Sequence, residues 1–471
     1  MPSFMPPQDK IKTRYHYLRV KKYLDLPPKS NTVIYHRGGV THRRDDTDVE
    51  LDFRQESNFF YLTGVESAGY HVIFQFSTDT IYLVRPTVPL EEQLWKGIPP
   101  TDQQLLEKYD VDIVLTENEM NAKLQEINPD IILTMDSTNV AALPPTILPK
   151  IDASLLGPAI HEARLIKFPW EKDLLRYTAH ISSHAHISLM SAVGRRGSRH
   201  GRPFLMNESE LEAEFRYVCA KSGLNRQCYI PIIASGERAS VLHYTDNNKW
   251  IPSDNRHALI LVDAGGELTC YGSDITRTFP VTGKFSSEAR TIYNIVLKAQ
   301  KAVLDQVRPG VFWRDMHTLV VKILTQELIN IGILVGDAEE IIQLGIYRAF
   351  YFHGTGHSIG LDCHDVGGTD IGILSAMKTR KGYPLELFTR PLQANMVITV
   401  EPGLYFNDVS IDMWTAASSP YKKYFGTEKI EKYRKVGGVR IEDTILITEI
   451  GIENLTIAPK EVNDIEAIMG F

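Results

Sequence analysis

Three histidines stand within twelve residues of one glycine-punctuated stretch, His353-Gly-Thr-Gly-His357-Ser-Ile-Gly-Leu-Asp-Cys-His364. The glycines remove side-chain bulk and leave the backbone open to a ligand, so the stretch reads as a site if the chain supplies partners. Four acids do so. His257-Ala-Leu-Ile-Leu-Val-Asp263 closes an apolar run on a carboxylate, and the returning segment carries Asp274 within Gly-Ser-Asp-Ile-Thr-Arg-Thr. Gly265 and Gly266 between them predict a hairpin that brings the two aspartates together. Met396-Val-Ile-Thr-Val-Glu401 ends a second apolar run on a glutamate, and Glu442 falls within the run Val439 to Ile447. A carboxylate in such a setting is costly to bury unless it meets a cation or donors. One alone could be a salt-bridge partner, but Asp263, Asp274, His357, Glu401 and Glu442 together make a set of hard oxygen donors with one imidazole. That mix suits Mn²⁺ or a similar hard to borderline divalent ion. Four carboxylates call for a pair of ions roughly 3.5–4 Å apart, with a bridging hydroxide as nucleophile.

Other clusters read differently. His180 and His184 are spaced to share a helix face, but no glutamate adjoins the first histidine as it does in zinc peptidases, so a metal site is not expected there. Arg195, Arg196, Arg199 and Arg202 form a basic loop between Gly194 and Arg202, read as solvated. The four cysteines, Cys219, Cys228, Cys270 and Cys363, are too few and irregular for a disulfide framework. Cys363 is expected to be a reduced packing residue. Trp95, in Leu94-Trp-Lys-Gly97, is placed in a loop, either as a buried anchor or in contact with a substrate or partner subunit.

The elements that hold these residues follow from length and pattern. A chain of 471 residues exceeds what one core normally serves. From Asn31 to about Asp152, short β-branched and aromatic runs (Thr32–Tyr35, His71–Phe74, Thr80–Val84, Ile131–Thr134) alternate with helical candidates at Asp102–Tyr109 and Glu117–Ile127, which predicts a mixed α/β domain. The strand pattern stops at Leu156-Gly-Pro158, placing a boundary near residue 160. Beyond it come helices from about Trp170 to Val193, from Asn207, whose capping pattern is answered by Glu210, from Ser286 or Ser287, and from Trp313 to Gly332. A net charge of −7 argues against nucleic acid as the main partner. No apolar run is long enough to span a membrane, and Met1 to Ser30 lacks the apolar block of a secretory signal, so a cytoplasmic protein is expected.

As an ordered set, Val262-Asp-Ala-Gly265, Ser273-Asp-Ile-Thr-Arg277, His353-Gly-Thr-Gly-His357, Val400-Glu-Pro-Gly403 and Gly438-Val-Arg-Ile-Glu442 resemble the metal-binding motifs of the pita-bread-fold proline peptidases, prolidase (Xaa-Pro dipeptidase) and aminopeptidase P (Xaa-Pro aminopeptidase). Phe53-Arg-Gln-Glu-Ser-Asn-Phe-Phe-Tyr-Leu-Thr-Gly64 extends the likeness to the N-terminal part. The resemblance implies an α/β (α+β) chain: an aminopeptidase-P-type N-terminal domain over residues 1–160, restricting substrates and serving dimerisation, and a pita-bread catalytic domain over 161–471. It implies two Mn²⁺ ions per subunit, bridged by Asp274 and Glu442, with Asp263 on one and His357 and Glu401 on the other.

By the same matching, Glu401 is the carboxylate that shuttles the proton, and His353 and His364 bind substrate and stabilise the intermediate. His243 lines the substrate pocket, and Arg440 fixes the acidic cluster at the substrate side. Arg390 resembles an arginine that meets a substrate carboxylate, and Trp95 occupies the place of a loop that approaches a partner subunit in a homodimer. The implied substrate is a di- or short peptide with proline second. Phe352 and Thr355 depart from the family pattern beside the ligands, and Thr369 to Phe388, with Lys378, Arg380 and Lys381, matches nothing in it. The competing readings are a non-catalytic pita-bread protein-binding module, a metal-free creatinase-like hydrolase and a methionine aminopeptidase. The five ligands argue against the first two, and the large N-terminal domain against the third.

Overall fold

The computed structural model describes residues 10–27, 30–136, 140, 142–197, 205–366 and 390–471. The segment Thr369 to Phe388, and Arg199 and Arg202 of the basic loop, lie outside them; Arg195 and Arg196 continue the preceding helix. Two compact units divide between Leu165 and Ile166. The strand pattern stops before Leu156 as expected, and the division falls beyond residue 160, at the end of a helix, Leu156–Leu165. That helix packs against Thr13–Leu24 of the first unit, with Ile160 and Ala163 buried.

The first unit is built on six strands: β1 (Thr32–Arg37), β2 (His71–Gln75), β3 (Thr80–Arg85), β4 (Ile113–Thr116), β5 (Ile131–Leu133) and β6 (Ile151–Asp152), in the order β4-β3-β2-β1-β5-β6. β1, β2 and β3 are antiparallel neighbours, while β4, β5 and β6 join in parallel. Parallel joins need crossover connections, and the capped helices Asp102–Lys108 and Glu117–Ile127 supply them around β4; both carry the reciprocal Thr-to-Gln or Thr-to-Glu capping box. Val33, Tyr35, Ile73, Val84, Met120 and Leu124 close the core on one face of the sheet. Trp95 is not in a loop. It lies on the helix Leu90–Lys96 and is 88% exposed, so it anchors no core of its own chain.

In the second unit the helix Pro169–Gly197 leads into Glu208–Lys221, whose Asn207 cap is answered by Glu210 as the sequence predicts. Three short strands, β7 (Arg226–Gln227), β8 (Ile232–Ser235) and β9 (Leu259–Asp263), are followed by β10 (Gly266–Leu268), β11 (Tyr271–Gly272) and β12 (Thr276–Pro280). The helices Ser287–Leu304 and Trp313–Asn330 then pack on one another, the first through Ile292, Ile295, Val296, Ala299 and Val303. Five strands complete the unit: β13 (Val397–Val400), β14 (Gly403–Tyr405), β15 (Gly438–Arg440), β16 (Asp443–Ile447) and β17 (Ile452–Asn454). β9 lies between β8 and β12, β16 between β13 and β17, and β14 pairs with β15.

A buried arginine ties these small sheets together. The fully buried Arg277 on β12 donates to Asp443 Oδ1 at 2.7 Å, to the Glu442 carbonyl at 2.7 Å and to the Ala458 carbonyl at 2.6 Å. Asp443 is completed by a second cation, Lys460 at 2.5 Å, and by Gln300 at 2.9 Å and Asn454 at 2.7 Å. Removing one member of a buried pair costs about 3–5 kcal/mol when it strands the other charge; with Lys460 still beside Asp443, loss of Arg277 is expected to cost the lower end of that range, about 3 kcal/mol. Arg277→Met is therefore expected to lower unfolding stability by about that amount, read as a fall in denaturant midpoint with unchanged slope.

Candidate metal centre

Asp263 and Asp274 come together as the sequence predicts, by a different turn. β9 and β12 are antiparallel with Asp263 opposite Thr276. The reversal is made at Thr269 and Cys270, both at positive φ, between β10 and β11. Gly265 has another duty: a Cβ there would stand 1.7 Å from the Ser273 carbonyl oxygen, so only glycine lets the two aspartate-bearing segments lie this close.

His357 and Glu401 are joined by backbone pairing. The Thr399 N–H donates to the His357 carbonyl and the Glu401 N–H to the Thr355 carbonyl, each at 2.8 Å, and Ser358 bridges to Ile398. The histidine stretch thus runs as an extra rung beside β13. A Cβ on Gly356 would sit 2.0 Å from the Thr399 carbonyl oxygen, which accounts for the second glycine of His-Gly-Thr-Gly-His. Trp313 donates from Nε1 to the Gly356 carbonyl at 3.1 Å. Beyond His364 the segment is held by a buried ion pair, Lys167 Nζ to Asp365 Oδ2 at 2.9 Å. Glu442 occupies the short break between β15 and β16 rather than the interior of one strand. Its N–H donates to the Thr276 carbonyl at 3.1 Å, which turns the side chain towards the aspartates.

Asp274, His357 and Glu442 present ligand atoms within 4.8 Å of one another and are almost wholly buried. His357 Nε2 lies 3.2 Å from Asp274 Oδ2 and 3.5 Å from Glu401 Oε1. Its Nδ1 is 2.9 Å from the Ser358 carbonyl, so Nδ1 carries the proton and Nε2 faces the carboxylates, the orientation that metal-ligating histidines adopt. Tyr229, which nothing in its sequence context singled out, places its hydroxyl 2.5 Å from both Asp263 Oδ1 and Asp274 Oδ1. Arg440 Nη2 meets Asp263 Oδ2 at 2.5 Å, Nη1 meets the Tyr405 hydroxyl at 2.9 Å and Nε meets Thr276 at 3.1 Å. Arg440 is buried, with these bonds all going to the protein, so it lies beneath the acids rather than at the substrate side.

Four carboxylates face one guanidinium here, and their titration reflects it. Burial pushes Glu401 up to about 8 although His357 opposes it. Burial and the charges of Asp274, Glu401 and Asp263 push Glu442 well above the usual carboxylate range, and burial raises Asp263. Burial would raise Asp274 too, but the His357 hydrogen bond and charge outweigh it and hold Asp274 low. His357 is raised to about 9: burial opposes, and the Asp274 hydrogen bond and the Glu401 charge prevail. Glu442 Oε1 is buried and, among the described residues, meets no hydrogen-bond donor. An unmet buried carboxylate oxygen beside three like charges is costly, and divalent cations are what such a donor set fits.

His353 is neutral, lowered to about 3 by burial and by the Arg440 charge. Its Nδ1 is 2.7 Å from the Gly354 carbonyl and its Nε2 is 2.8 Å from the Tyr405 hydroxyl. With Arg440 donating to Tyr405, the phenol donates to His353 Nε2, a relay that fixes the tautomer. His364 is exposed, its ring 4.2 Å from that of His357. His243 is exposed and close enough for its charge to act on His353. Arg390 directly precedes Pro391, which pairs with Phe312. His180 and His184 form a pair, Nε2 to Nε2 3.1 Å, on the helix Pro169–Gly197. All four cysteines are free thiols.

The comparisons agree with this geometry. Residues 173–449 match the model of metallopeptidase family M24, and residues 16–131 match the aminopeptidase P N-terminal domain. A probable Xaa-Pro aminopeptidase of Verticillium alfalfae is 38% identical over 99% of this chain and 97% of its own, and one of Uncinocarpus reesii 37% identical over 98% and 95%. Aminopeptidase P from E. coli with the inhibitor Pro-Leu superposes with a TM-score of 0.78 at 30% identity, covering 98% of this chain and 99% of that one. The mixed α/β architecture is that of an aminopeptidase P N-terminal domain followed by a pita-bread domain. The chain therefore belongs to metallopeptidase family M24, is a member of its proline peptidases with the aminopeptidase P N-terminal domain, and is an enzyme that uses a divalent metal.

Proposed function

We propose that the protein is a manganese-dependent Xaa-Pro aminopeptidase that removes the first residue from short peptides with proline second. The observation that carries the reading is the buried acid cluster with its unmet Glu442 oxygen, on a chain similar along nearly its whole length to enzymes named for this activity. Those relatives are named aminopeptidases, which favours peptides longer than the dipeptide. Asp263, Asp274, His357, Glu401 and Glu442 would hold two Mn²⁺ ions, because four carboxylates against one guanidinium leave more charge than one divalent ion neutralises. When bound, the ions would supply a Lewis acid for the scissile carbonyl and a water acidic enough to attack at neutral pH.

The chain's own residues do the rest. Glu401, the more exposed of the two glutamates, takes a proton and returns it to the leaving proline nitrogen. Arg440 and Tyr229 hold Asp263 and Asp274 in place. His353, neutral and fixed by Tyr405, and the exposed His364 offer N–H donors to the developing oxyanion once a substrate displaces their present contacts. His243 and Arg390 line the path of the peptide. A homodimer is part of the same reading. Leu90, Leu94, Trp95 and Ile98 are each 80% exposed or more, an apolar run that a partner subunit would cover. Among the described residues no helix is long and apolar enough to cross a membrane, and a cytoplasmic setting is proposed. The test is a side-by-side assay with Mn²⁺ of Ala-Pro and Ala-Pro-Ala. Robust release of alanine from the tripeptide is expected; cleavage of the dipeptide alone would make the enzyme a prolidase.

A further inference from the structure

The histidine stretch that contributes to the hard-donor centre also carries the makings of a second, chemically different one. Ligand atoms of His357, Cys363 and His364 all lie within 4.8 Å of one another. The two imidazole rings are 4.2 Å apart between centroids, and Cys363 Sγ is 3.0 Å from Asp274 Oδ2. His364 is exposed and Cys363 half-buried, whereas Asp274 and Glu442 are buried, so a cation arriving from solvent can meet the imidazole and the thiol before those two acids. The Cys228 thiol adjoins that of Cys363, and Cys228 is itself packed where a Cβ on Gly272 would stand 2.0 Å from its sulfur, so a second sulfur borders the same corner.

A thiolate with two imidazoles is a soft to borderline set. It prefers Zn²⁺ or Cd²⁺, whereas oxygen donors suit Mn²⁺, and three protein ligands with one open position are a common zinc arrangement. We propose that Cys363, His364 and His357 form a soft-metal site that takes Zn²⁺ or Cd²⁺ and competes with the hard-donor centre for His357. The inference rests on the manganese peptidase reading for its consequence: His357 is the one imidazole of the proposed hard set, and its single free lone pair cannot serve two sites. Binding releases the Cys363 proton to solvent and involves no change of oxidation state. Zinc or cadmium thus inhibits by withdrawing a ligand from the catalytic set, and the identity of residue 363 sets the sensitivity.

The test is a Cd²⁺ titration of the full-length, Mn²⁺-loaded protein, followed by the ultraviolet charge-transfer absorption of the cadmium–thiolate bond. The wild type is expected to develop the band with saturation at one equivalent. C363S, which keeps a hydrogen bond to Asp274 but lacks the sulfur, is expected to lose it and to need at least about tenfold more Zn²⁺ for half-inhibition, a difference of about 1.4 kcal/mol in site affinity. A wild type without the band, or a band that survives in C363S and disappears in C228S, overturns the assignment. The two readings fail separately. A cadmium band in a protein that hydrolyses no Xaa-Pro peptide after Mn²⁺ loading leaves the thiol site standing and removes the manganese peptidase. Hydrolysis restored by Mn²⁺ with no cadmium band does the reverse.

Discussion

Glu442→Gln is expected to abolish peptide hydrolysis while making the metal-free protein more stable, not less. The native carboxyl group is buried, one of its oxygens meets no donor among the described residues, and burial together with the Asp274, Glu401 and Asp263 charges pushes its pKa far up. Glutamine removes the charge, keeps the shape and turns an N–H pair towards those same carboxylates, so the metal-free fold loses an unsatisfied acceptor worth about 1–3 kcal/mol. Thr276, which donates to Glu442 Oε2 at 2.7 Å, keeps its acceptor. The metal-bound enzyme loses an anionic ligand. Since bound metals stabilise hydrolytic transition states by several kcal/mol and each 1.36 kcal/mol is tenfold in rate, kcat/KM should fall by about a thousandfold or more. The checking measurements are Ala-Pro-Ala hydrolysis and thermal unfolding with and without Mn²⁺. A higher Tm in chelator, a vanished Mn²⁺-induced shift and lost turnover together identify Glu442 as a ligand held in strain for function. A variant that unfolds early and still turns over would assign Glu442 a purely structural role.

The same residue shows how far sequence carries this protein. Each proposed ligand was legible from one conflict, an acid or histidine set among apolar or glycine-rich neighbours, because that conflict is local and its cost is large. The two aspartates meet as such reasoning expects, whereas the pairing of His357 with Glu401 was implied only by the family resemblance. Tyr229 was not legible, since a tyrosine between Cys228 and Ile230 reads as ordinary packing, and only the approach of two strands reveals that its hydroxyl serves two carboxylates. Arg440 was legible as a partner of the acids but not as a buried one, because its depth depends on the pairing of β14 with β15. The hairpin turn was misplaced for a related reason. Gly265 and Gly266 signal a reversal, but their glycine character answers the close approach of Ser273 and the side chains of Leu224 and Cys219, whereas Thr269 and Cys270 take the positive φ that sequence reserves for glycine. Trp95 was mistaken for a loop residue, and the helix from Leu156 was not foreseen, because a seven-residue helix and a Gly-Pro opening carry no helical periodicity long enough to read.

Manganese binding should weaken steeply as pH falls, and this follows from the sign of the shifts in the metal-free site. His357 is raised to about 9 and Glu401 to about 8, so at neutral pH both hold protons where a metal needs lone pairs. Binding must expel them, which ties affinity to pH. Above pH 9 neither of these two protons is present and the dependence is shallowest. Between 8 and 9 one proton is released, and below 8 two are, so the association constant should drop by about tenfold and then about a hundredfold per pH unit. The raised Asp263 and Glu442 steepen the acid side further. Calorimetric titration of Mn²⁺ into chelator-treated protein at pH 7 should show at least about two protons released when buffers of different ionisation heat are compared. Affinity independent of pH, or no dependence on the buffer, would contradict the ligand assignment. Activity supplies the kinetic counterpart. If the acid limb of the rate profile reflects metal loss, saturating Mn²⁺ moves that limb to lower pH, whereas a limb set by protonation of a catalytic base in the loaded enzyme stays where it is.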